Sequence, residues 1–118
     1  MMEYLLDLKD IPYNAIKAGT KKVEGRVPTP GDKTPYDKLS TNDTIVFRRE
    51  SDQELLEVAI LFVHHYPDVR EMLEAEGPEN VLSSSKTIEE SIERYNTFKN
   101  YKESIPKYGI YAIGVKPL

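Results

Sequence analysis

The sequence predicts an α+β fold, a small antiparallel β-barrel of about five to six strands flanked by two or three helices. Three observations lead to this fold class. Segments with the composition of strands lie near both ends of the chain, at residues 4–8 and 108–115. A hairpin pattern lies in the middle of the chain. Helical patterns are inserted between these strands without regular alternation, so a doubly wound parallel sheet is not expected.

Length and composition limit the function classes. The chain has 118 residues, and we expect one domain, residues 1–118, with a single core. Cysteine is absent, which excludes disulfides, thiolate nucleophiles and cysteine zinc sites. The adjacent His64 and His65 would point to opposite faces of a strand, so we expect no metal site. The sequence contains neither the roughly 20 apolar residues of a membrane span nor a signal peptide, and we expect a cytoplasmic protein that does not contact membranes.

Charge is unevenly distributed along the chain. The net charge is −4, but residues 14–49 contain eight lysines and arginines against four acids. A basic first third on an acidic body suits a site for an anionic or phosphate-bearing ligand. The cations of this segment outside the motif discussed below either form a phosphate-facing rim or merely keep the surface soluble: Lys17, Lys33, Lys38, Arg48 and Arg49.

The first part of the chain predicts a strand, a short helix and a second strand. Residues 4–8 are mostly apolar and predict the first strand. Asp10 has the position of a helix N-cap, and Gly19 that of the left-handed residue that ends the helix. Residues 21–27 then predict a strand. Its alternation places Lys21, Val23 and Gly25 on one face and Lys22, Glu24 and Arg26 on the other.

The middle of the chain predicts a loop and a hairpin. Prolines and a glycine make residues 28–38 an irregular surface loop. Residues 44–47 form a β-branched run typical of a strand. Residues 51–54 are the predicted turn, and residues 55–66 are a long second arm that we expect to bend.

Two helices and a last strand complete the prediction. The first helix begins at Asp68, with Glu71 three residues later, and ends before residues 77–78. The second begins at Thr87, again with a glutamate three residues later. Its apolar side chains recur at helical spacing: Ile88, Ile92, Tyr95 and Phe98 or Lys99. Residues 108–115 have the β-branched and aromatic content of a closing strand.

The motif Gly19-x-Lys21-x-x-Glu24-x-Arg26 resembles the signature of the ASCH domain family, within the superfamily of PUA-like folds. Further similar segments are residues 42–47, 66–73, the helix that reaches Tyr95, and residues 108–113, so the resemblance covers nearly the whole chain. One departure is Asn42, where such proteins often carry glycine, although asparagine also tolerates a left-handed backbone. The resemblance implies a compact β-barrel with a cleft between barrel and helices, lined by the motif, and a ligand drawn from RNA or its components.

Most domains that this sequence resembles are described as candidate RNA binders, and some are enzymes. One branch resembles small amidohydrolases that deacetylate acetylated cytidine nucleosides, and another is reported to cleave RNA. The resemblance to the amidohydrolases places their lysine at Lys21, a threonine at the position of Glu24, and a glutamate that we assign to Glu76. Lys21 and Glu76 match this pattern, whereas Glu24 does not.

Two functions therefore follow as hypotheses. The first is an RNA- or nucleotide-binding module, with Lys21 and Arg26 on phosphate or carbonyl oxygens and Glu24 on an amino group. The second is an amidohydrolase that needs no metal or other cofactor, with Lys21 as base and Glu76 or Glu24 as acid. The candidate catalytic residues are Lys21, Glu24 and Glu76, and the candidate ligand-binding residues are Lys21, Glu24, Arg26, Tyr95 and Tyr108.

Each candidate also has a simpler explanation. Glu24 could form a surface pair with Arg26 or Lys22 that contributes about 0–1 kcal/mol and has no function. Tyr95 falls on an apolar helix face and could be a core residue with one hydrated end. His64 and His65 are more often structural than catalytic in such a strand. Serines 83–85 could offer a hydroxyl near the cleft or be a plain linker. A protein-interaction domain that uses its acidic helices is a third hypothesis.

Overall fold

The computed structural model describes residues 1–83 and 87–118 of the chain. In these residues, five strands form one sheet, and five α-helices and one 3₁₀ turn connect them. The strands are β1 (Glu3–Leu8), β2 (Val23–Arg26), β3 (Thr44–Arg49), β4 (Leu55–Tyr66) and β5 (Ile110–Pro117). The helices are α1 (Asp10–Ala18), α2 (Val69–Glu76), α3 (Pro78–Val81), α4 (Ile88–Thr97) and α5 (Tyr101–Tyr108), and the 3₁₀ turn is Tyr36–Lys38.

The sheet has the order β1-β3-β4-β5-β2 and curls into a half-barrel, which confirms the predicted α+β barrel-like class. Three of its four strand pairs are antiparallel, as predicted, but β1 pairs with β3 in parallel. A parallel pair needs a long crossover, and α1, β2 and the loop after β2 supply it. The two strands at the edges of the sheet, β1 and β2, are therefore close in sequence but at opposite ends of the strand order.

The sequence predicted two or three helices, and the described residues contain five. α3 has only four residues, too few for a helical pattern to be recognised. α5 contains Pro106, and a proline in the interior of a segment argues against a helix, so α5 was not predicted. Because α5 runs to Tyr108, the last strand begins at Ile110 and not at the predicted residue 108.

Helix boundaries follow the capping chemistry in two of the three predicted cases. The Asp68 side chain accepts a hydrogen bond from the Glu71 amide, and Thr87 accepts one from the Glu90 amide. The prediction that Asp10 is the N-cap of α1 was wrong. Asp10 is the first helical residue, and its carboxylate accepts a hydrogen bond from the Ser51 amide in the hairpin turn. Tertiary contact with that turn replaces the local cap.

The long hairpin arm bends as predicted. The pairing of β4 with β5 shifts its register between Ile60 and Phe62, which is the signature of a bulge. Two apolar clusters pack against the sheet, one under α1 and the β3–β4 hairpin and one under α2, α4 and α5. In the described residues, no helix is long and apolar enough to cross a membrane.

Candidate functional site

A cleft of about 640 Å³ lies beside the two edge strands of the half-barrel. Its lining combines β1 and β2 with the segment after α3 and the junction between α4 and α5. The Arg26 side chain reaches from β2 to β1, where its Nη2 donates a hydrogen bond of 2.9 Å to the Asp7 carbonyl oxygen. An arginine side chain therefore spans the opening of the half-barrel at the site of the cleft.

The helix stop at Gly19 places the motif. Gly19 has a left-handed backbone (φ 84°), and its amide donates to the Ile16 carbonyl. The amides of Thr20 and Lys21 then both donate to the Ala15 carbonyl oxygen, which turns the chain sharply before β2 begins. Left-handed backbone of this kind favours glycine.

Lys21 lies before β2 and not within it, so the predicted strand alternation does not apply to it. The prediction that Lys21 and Glu24 lie on opposite faces was wrong. Lys21 is 3% exposed, and its Nζ lies 3.3 Å from Glu24 Oε1. Nζ also donates to the carbonyl oxygens of Val23, at 2.7 Å, and Val81. Two carbonyl oxygens thus accept hydrogen bonds from the buried Lys21 Nζ, and the Glu24 carboxylate lies within ion-pair distance of it.

Glu24 connects the two bases of the motif. Its Oε2 accepts a hydrogen bond of 2.7 Å from Arg26 Nε, and its Oε1 faces Lys21. Burial would raise the pKa of Glu24, but the charges of Arg26 and Lys21 outweigh it and hold the pKa below its usual value. Burial also lowers the pKa of Lys21, against the opposing effect of Glu24. The Glu24 side chain is only 9% exposed, so the interpretation as a weak surface pair was wrong.

Arg26 is the residue of the motif whose hydrogen-bond donors are only partly used within the described part of the chain. Burial lowers the pKa of Arg26, but the Glu24 carboxylate and other nearby groups raise it by more than that. The net pKa is raised, so the guanidinium stays charged. Its Nε and one Nη2 hydrogen are engaged by Glu24 and Asp7. A guanidinium carries five N–H donors, and its side chain is 15% exposed. It therefore offers donors toward the cleft from a fixed orientation.

Three aromatic side chains around the α4–α5 junction form one wall of the cleft: Tyr95, Phe98 and Tyr101. The Phe98 ring makes T-shaped contacts at 5.4 Å with both tyrosine rings. Tyr95 is buried, while Phe98 and Tyr101 are half-buried. Gly25 permits this packing, because a Cβ there would overlap the Tyr95 hydroxyl and lie 3.0 Å from its Cζ. We call these three residues the aromatic wall.

Exposed cations surround the cleft: Lys9, Arg94 and Lys99. None of the three forms an ion pair within residues 1–83 and 87–118. The five basic residues that the sequence offered as a rim do not line the cleft. Three of those five form ion pairs with acids: Lys17 with Glu54, Arg48 with Asp7, which itself lines the cleft, and Arg49 with Asp52.

The structure brings four of the six candidate residues together: Lys21, Glu24, Arg26 and Tyr95. Glu76 and Tyr108 do not line the cleft. Glu76 ends α2, and its Oε2 lies 2.7 Å from His64 Nδ1 and accepts a hydrogen bond from the Tyr66 hydroxyl. Tyr108 ends α5 and is 53% exposed.

Sequence reasoning named Tyr101 as a tyrosine that could stack on a base, and this residue lines the cleft. It missed Phe98, which lies three residues after Tyr95 and three before Tyr101, next to Lys99. This aromatic run in a basic setting was the available signal. Ser83 also lines the cleft, whereas Ser84 and Ser85 lie outside the described residues. In the part of the chain that the structure describes, no three His, Asp or Glu side chains converge as a metal site would require.

Comparison with known proteins shows the family to which this chain belongs. The family model of the ASCH domain matches residues 6–118. The crystal structure of the hypothetical protein PH0355 is 35% identical, with a TM-score of 0.83, over 99% of this chain and 100% of that one. The solution structure of protein PF0455 from Pyrococcus furiosus is 36% identical, with a TM-score of 0.74, over 99% and 98% of the two chains. No curated protein matches the sequence.

Proposed function

Because the chain belongs to the ASCH domain family, we propose that it binds RNA or a nucleotide in the cleft beside β1 and β2. The observation that carries this proposal is the convergence of Lys21, Glu24 and Arg26 at the cleft, with all three side chains largely buried. We also propose that residues 1–118 act as one domain, since β1 near one end of the chain and α5 near the other contribute to the cleft.

Each charged residue of the motif has a distinct role in this proposal. Arg26 donates to phosphate or carbonyl oxygens of the ligand, because a guanidinium matches such acceptors with two parallel hydrogen bonds. Glu24, ionised because of its lowered pKa, accepts hydrogen bonds from amino groups of a base. Lys21 does not contact the ligand, since carbonyl oxygens and Glu24 already engage its ammonium. It holds Glu24 in position.

The geometry gives less support to amide hydrolysis. Burial does lower the pKa of Lys21, as a catalytic base requires. However, its Nζ donates to two carbonyl oxygens and contacts a carboxylate, so no lone pair faces the cleft. Glu24 occupies the place of the expected hydroxyl nucleophile, and Glu76, the proposed acid, does not line the cleft. We therefore favour a binding module.

Binding measurements on a labelled single-stranded RNA, with unlabelled nucleotides as competitors, test the proposal. We expect affinity to fall between 50 mM and 200 mM salt, because bound cations release counterions from phosphates. Arg26→Ala should weaken binding about tenfold or more, through lost charged hydrogen bonds. Arg94→Ala should weaken it too, and its exposed side chain makes misfolding of this variant no concern. The control is Arg70→Ala, an exposed arginine that pairs with Glu89 away from the cleft.

Absence of binding to RNA and nucleotides at low salt would refute the proposal. Incubation with acetylated cytidine, followed by chromatography for cytidine and acetate, tests the hydrolytic alternative in parallel. Turnover that is lost in Lys21→Met would favour the enzyme over the binding module.

A further inference from the structure

The cleft combines a recessed charged floor, formed by Lys21, Glu24 and Arg26, with the aromatic wall and exposed cations. This combination restricts which ligands can bind. Resting on the function proposed above, we propose that the cleft accepts a single unpaired nucleotide and excludes base-paired strands. Its base lies against Phe98 and Tyr101, and its phosphate is held by Arg94 and Lys99.

The position of Glu24 and Arg26 argues for an unpaired base. Their side chains are only 9% and 15% exposed, so a ligand must enter the cleft to reach them. In a duplex, the Watson–Crick edge of each base is engaged by its partner, and side chains cannot read the deep, narrow major groove of A-form RNA. Unpaired bases can be splayed out, and their edges then reach recessed polar groups. Contact with the floor therefore selects an unpaired nucleotide.

The aromatic wall supplies a surface for the face of the base. Phe98 and Tyr101 are half-buried and line the cleft, and the T-shaped contact between them fixes both rings. Aromatic rings bind bases of any sequence, because every base has a π-face. Tyr95, which is buried behind them against Gly25, supports the wall.

The cations lie directly beside this wall in the chain. Arg94 precedes Tyr95, and Lys99 follows Phe98. Both line the cleft, are exposed, and form no ion pair in the described part of the chain. Such cations can meet a phosphate without breaking an existing contact, whereas Arg48 and Arg49 would have to leave their acidic partners. A cleft of about 640 Å³ is also within the size range of small-molecule sites.

The test compares the affinity of the whole chain for three kinds of probe. They are the four ribonucleoside 5′-monophosphates, a ten-residue single-stranded RNA, and the same strand annealed to its complement. We expect the single strand to bind at least about tenfold more tightly than the duplex. Binding of the monophosphates identifies a free nucleotide as sufficient, and binding of the strand alone identifies a strand end or loop; both outcomes support an unpaired nucleotide.

Substitutions in the wall test the stacking. Phe98→Leu keeps an apolar side chain but removes the ring, and should weaken single-strand binding about tenfold. Phe98→Tyr should retain binding, because it keeps a π-face. Tyr108→Leu is the matched control, since this tyrosine is exposed and does not line the cleft. Lys99→Ala should lower the slope of log affinity against log salt by about one.

The outcomes separate this inference from the proposed function. Equal affinity for single strand and duplex, or an unaffected Phe98→Leu variant, overturns the inference. If Arg26→Ala still weakens binding in that case, the proposed function stands. If no probe binds the protein at low salt, both proposals fall.

Discussion

At the scale of the residue, the motif divides into positions that shape the site and positions that can meet a ligand. Gly19 ends α1 with a left-handed backbone, and Lys21 is a buried cation bonded to carbonyl oxygens and Glu24. Gly25 makes room for the Tyr95 ring. Only Glu24 and Arg26 retain hydrogen-bonding capacity toward the cleft. The spacing of the motif is thus set as much by folding as by recognition.

Replacing Lys21 should show its structural role. We expect Lys21→Met to lower the free energy of unfolding by about 3 kcal/mol, because it removes one of the two cations that face the Glu24 carboxylate and leaves two buried carbonyl oxygens without their donor. Urea denaturation measures the loss. Lys22→Met is the matched control, because the neighbouring lysine is exposed and should change stability by less than about 0.5 kcal/mol. Similar losses in both variants would contradict the assignment.

Gly25 and Tyr95 should be energetically coupled. Gly25→Ala should cost about 1–3 kcal/mol, because the added Cβ overlaps the Tyr95 hydroxyl. The cost should be smaller in a Tyr95→Phe background, where the overlapping oxygen is absent. A double-mutant cycle on unfolding free energies measures the coupling. Additive effects of the two substitutions would mean that the close approach is not the cause.

At the scale of the element, the turn of the β3–β4 hairpin is held by side chains both within the turn and from α1. Within the turn, Arg49 donates two hydrogen bonds to Asp52. It is also tied to α1, because Arg49 donates to Asn14 and the Tyr13 hydroxyl donates to Glu54. This network fixes the helix that delivers Gly19 and the motif to the edge of the sheet.

Asp52 gives this hairpin a dependence on pH. Hydrogen bonds from Arg49, and next from the Glu54 amide, lower the pKa of Asp52 from 3.8 to about 2. A carboxyl whose pKa falls on folding stabilises the folded state above its unfolded pKa and loses that contribution as the pH falls through its folded pKa. The stability difference between wild type and Asp52→Asn should therefore be constant above about pH 5 and shrink as the pH approaches 2.

Urea unfolding at a series of pH values measures this difference, and NMR titration of the Asp52 carboxyl measures its pKa directly. A carboxyl that titrates near 4 would show that the contacts with Arg49 do not persist in solution.

At the scale of the whole molecule, the half-barrel is open between its two edge strands, and the candidate site lies at that opening. Arg26 on β2 donates to the Asp7 carbonyl on β1, while the Asp7 side chain pairs with Arg48 on β3. One guanidinium therefore serves both the closure of the fold and, in our proposal, the ligand. This dual use explains why an arginine, with its rigid fork of donors, occupies the position.

Arg26→Lys should show whether the hydrogen-bonding fork of the arginine, and not its charge alone, holds the two edge strands together. Lysine keeps the charge but lacks the fork that reaches Glu24 and the Asp7 carbonyl at once. We expect faster amide hydrogen exchange in β1 and β2, equivalent to a loss of about 1–2 kcal/mol of local protection. Exchange in α2 is the internal reference, since this helix does not line the cleft. Unchanged exchange in both edge strands would show that Arg26 does not hold them together.

Local signals in the sequence determined most elements of this protein, and the short α3 and the proline-containing α5 are the exceptions. The capping residues Asp68 and Thr87 set the starts of α2 and α4, and Gly19 set the end of α1. Strand composition at both ends and a central hairpin predicted the α+β barrel-like sheet. These features follow from hydrogen bonds and side-chain periodicities that span only a few residues, so the sequence contains them in full.

Only the tertiary structure decided the composition of the candidate site. Lys21 meets Glu24 because β2 begins at Val23, two residues later than strand composition suggested. The aromatic wall comes from the α4–α5 junction, and Glu76 is drawn instead to His64 and Tyr66. Which distant side chains converge depends on how strands and helices pack across the whole chain. That packing is settled by the shared burial of apolar surface, which no short stretch of sequence records by itself.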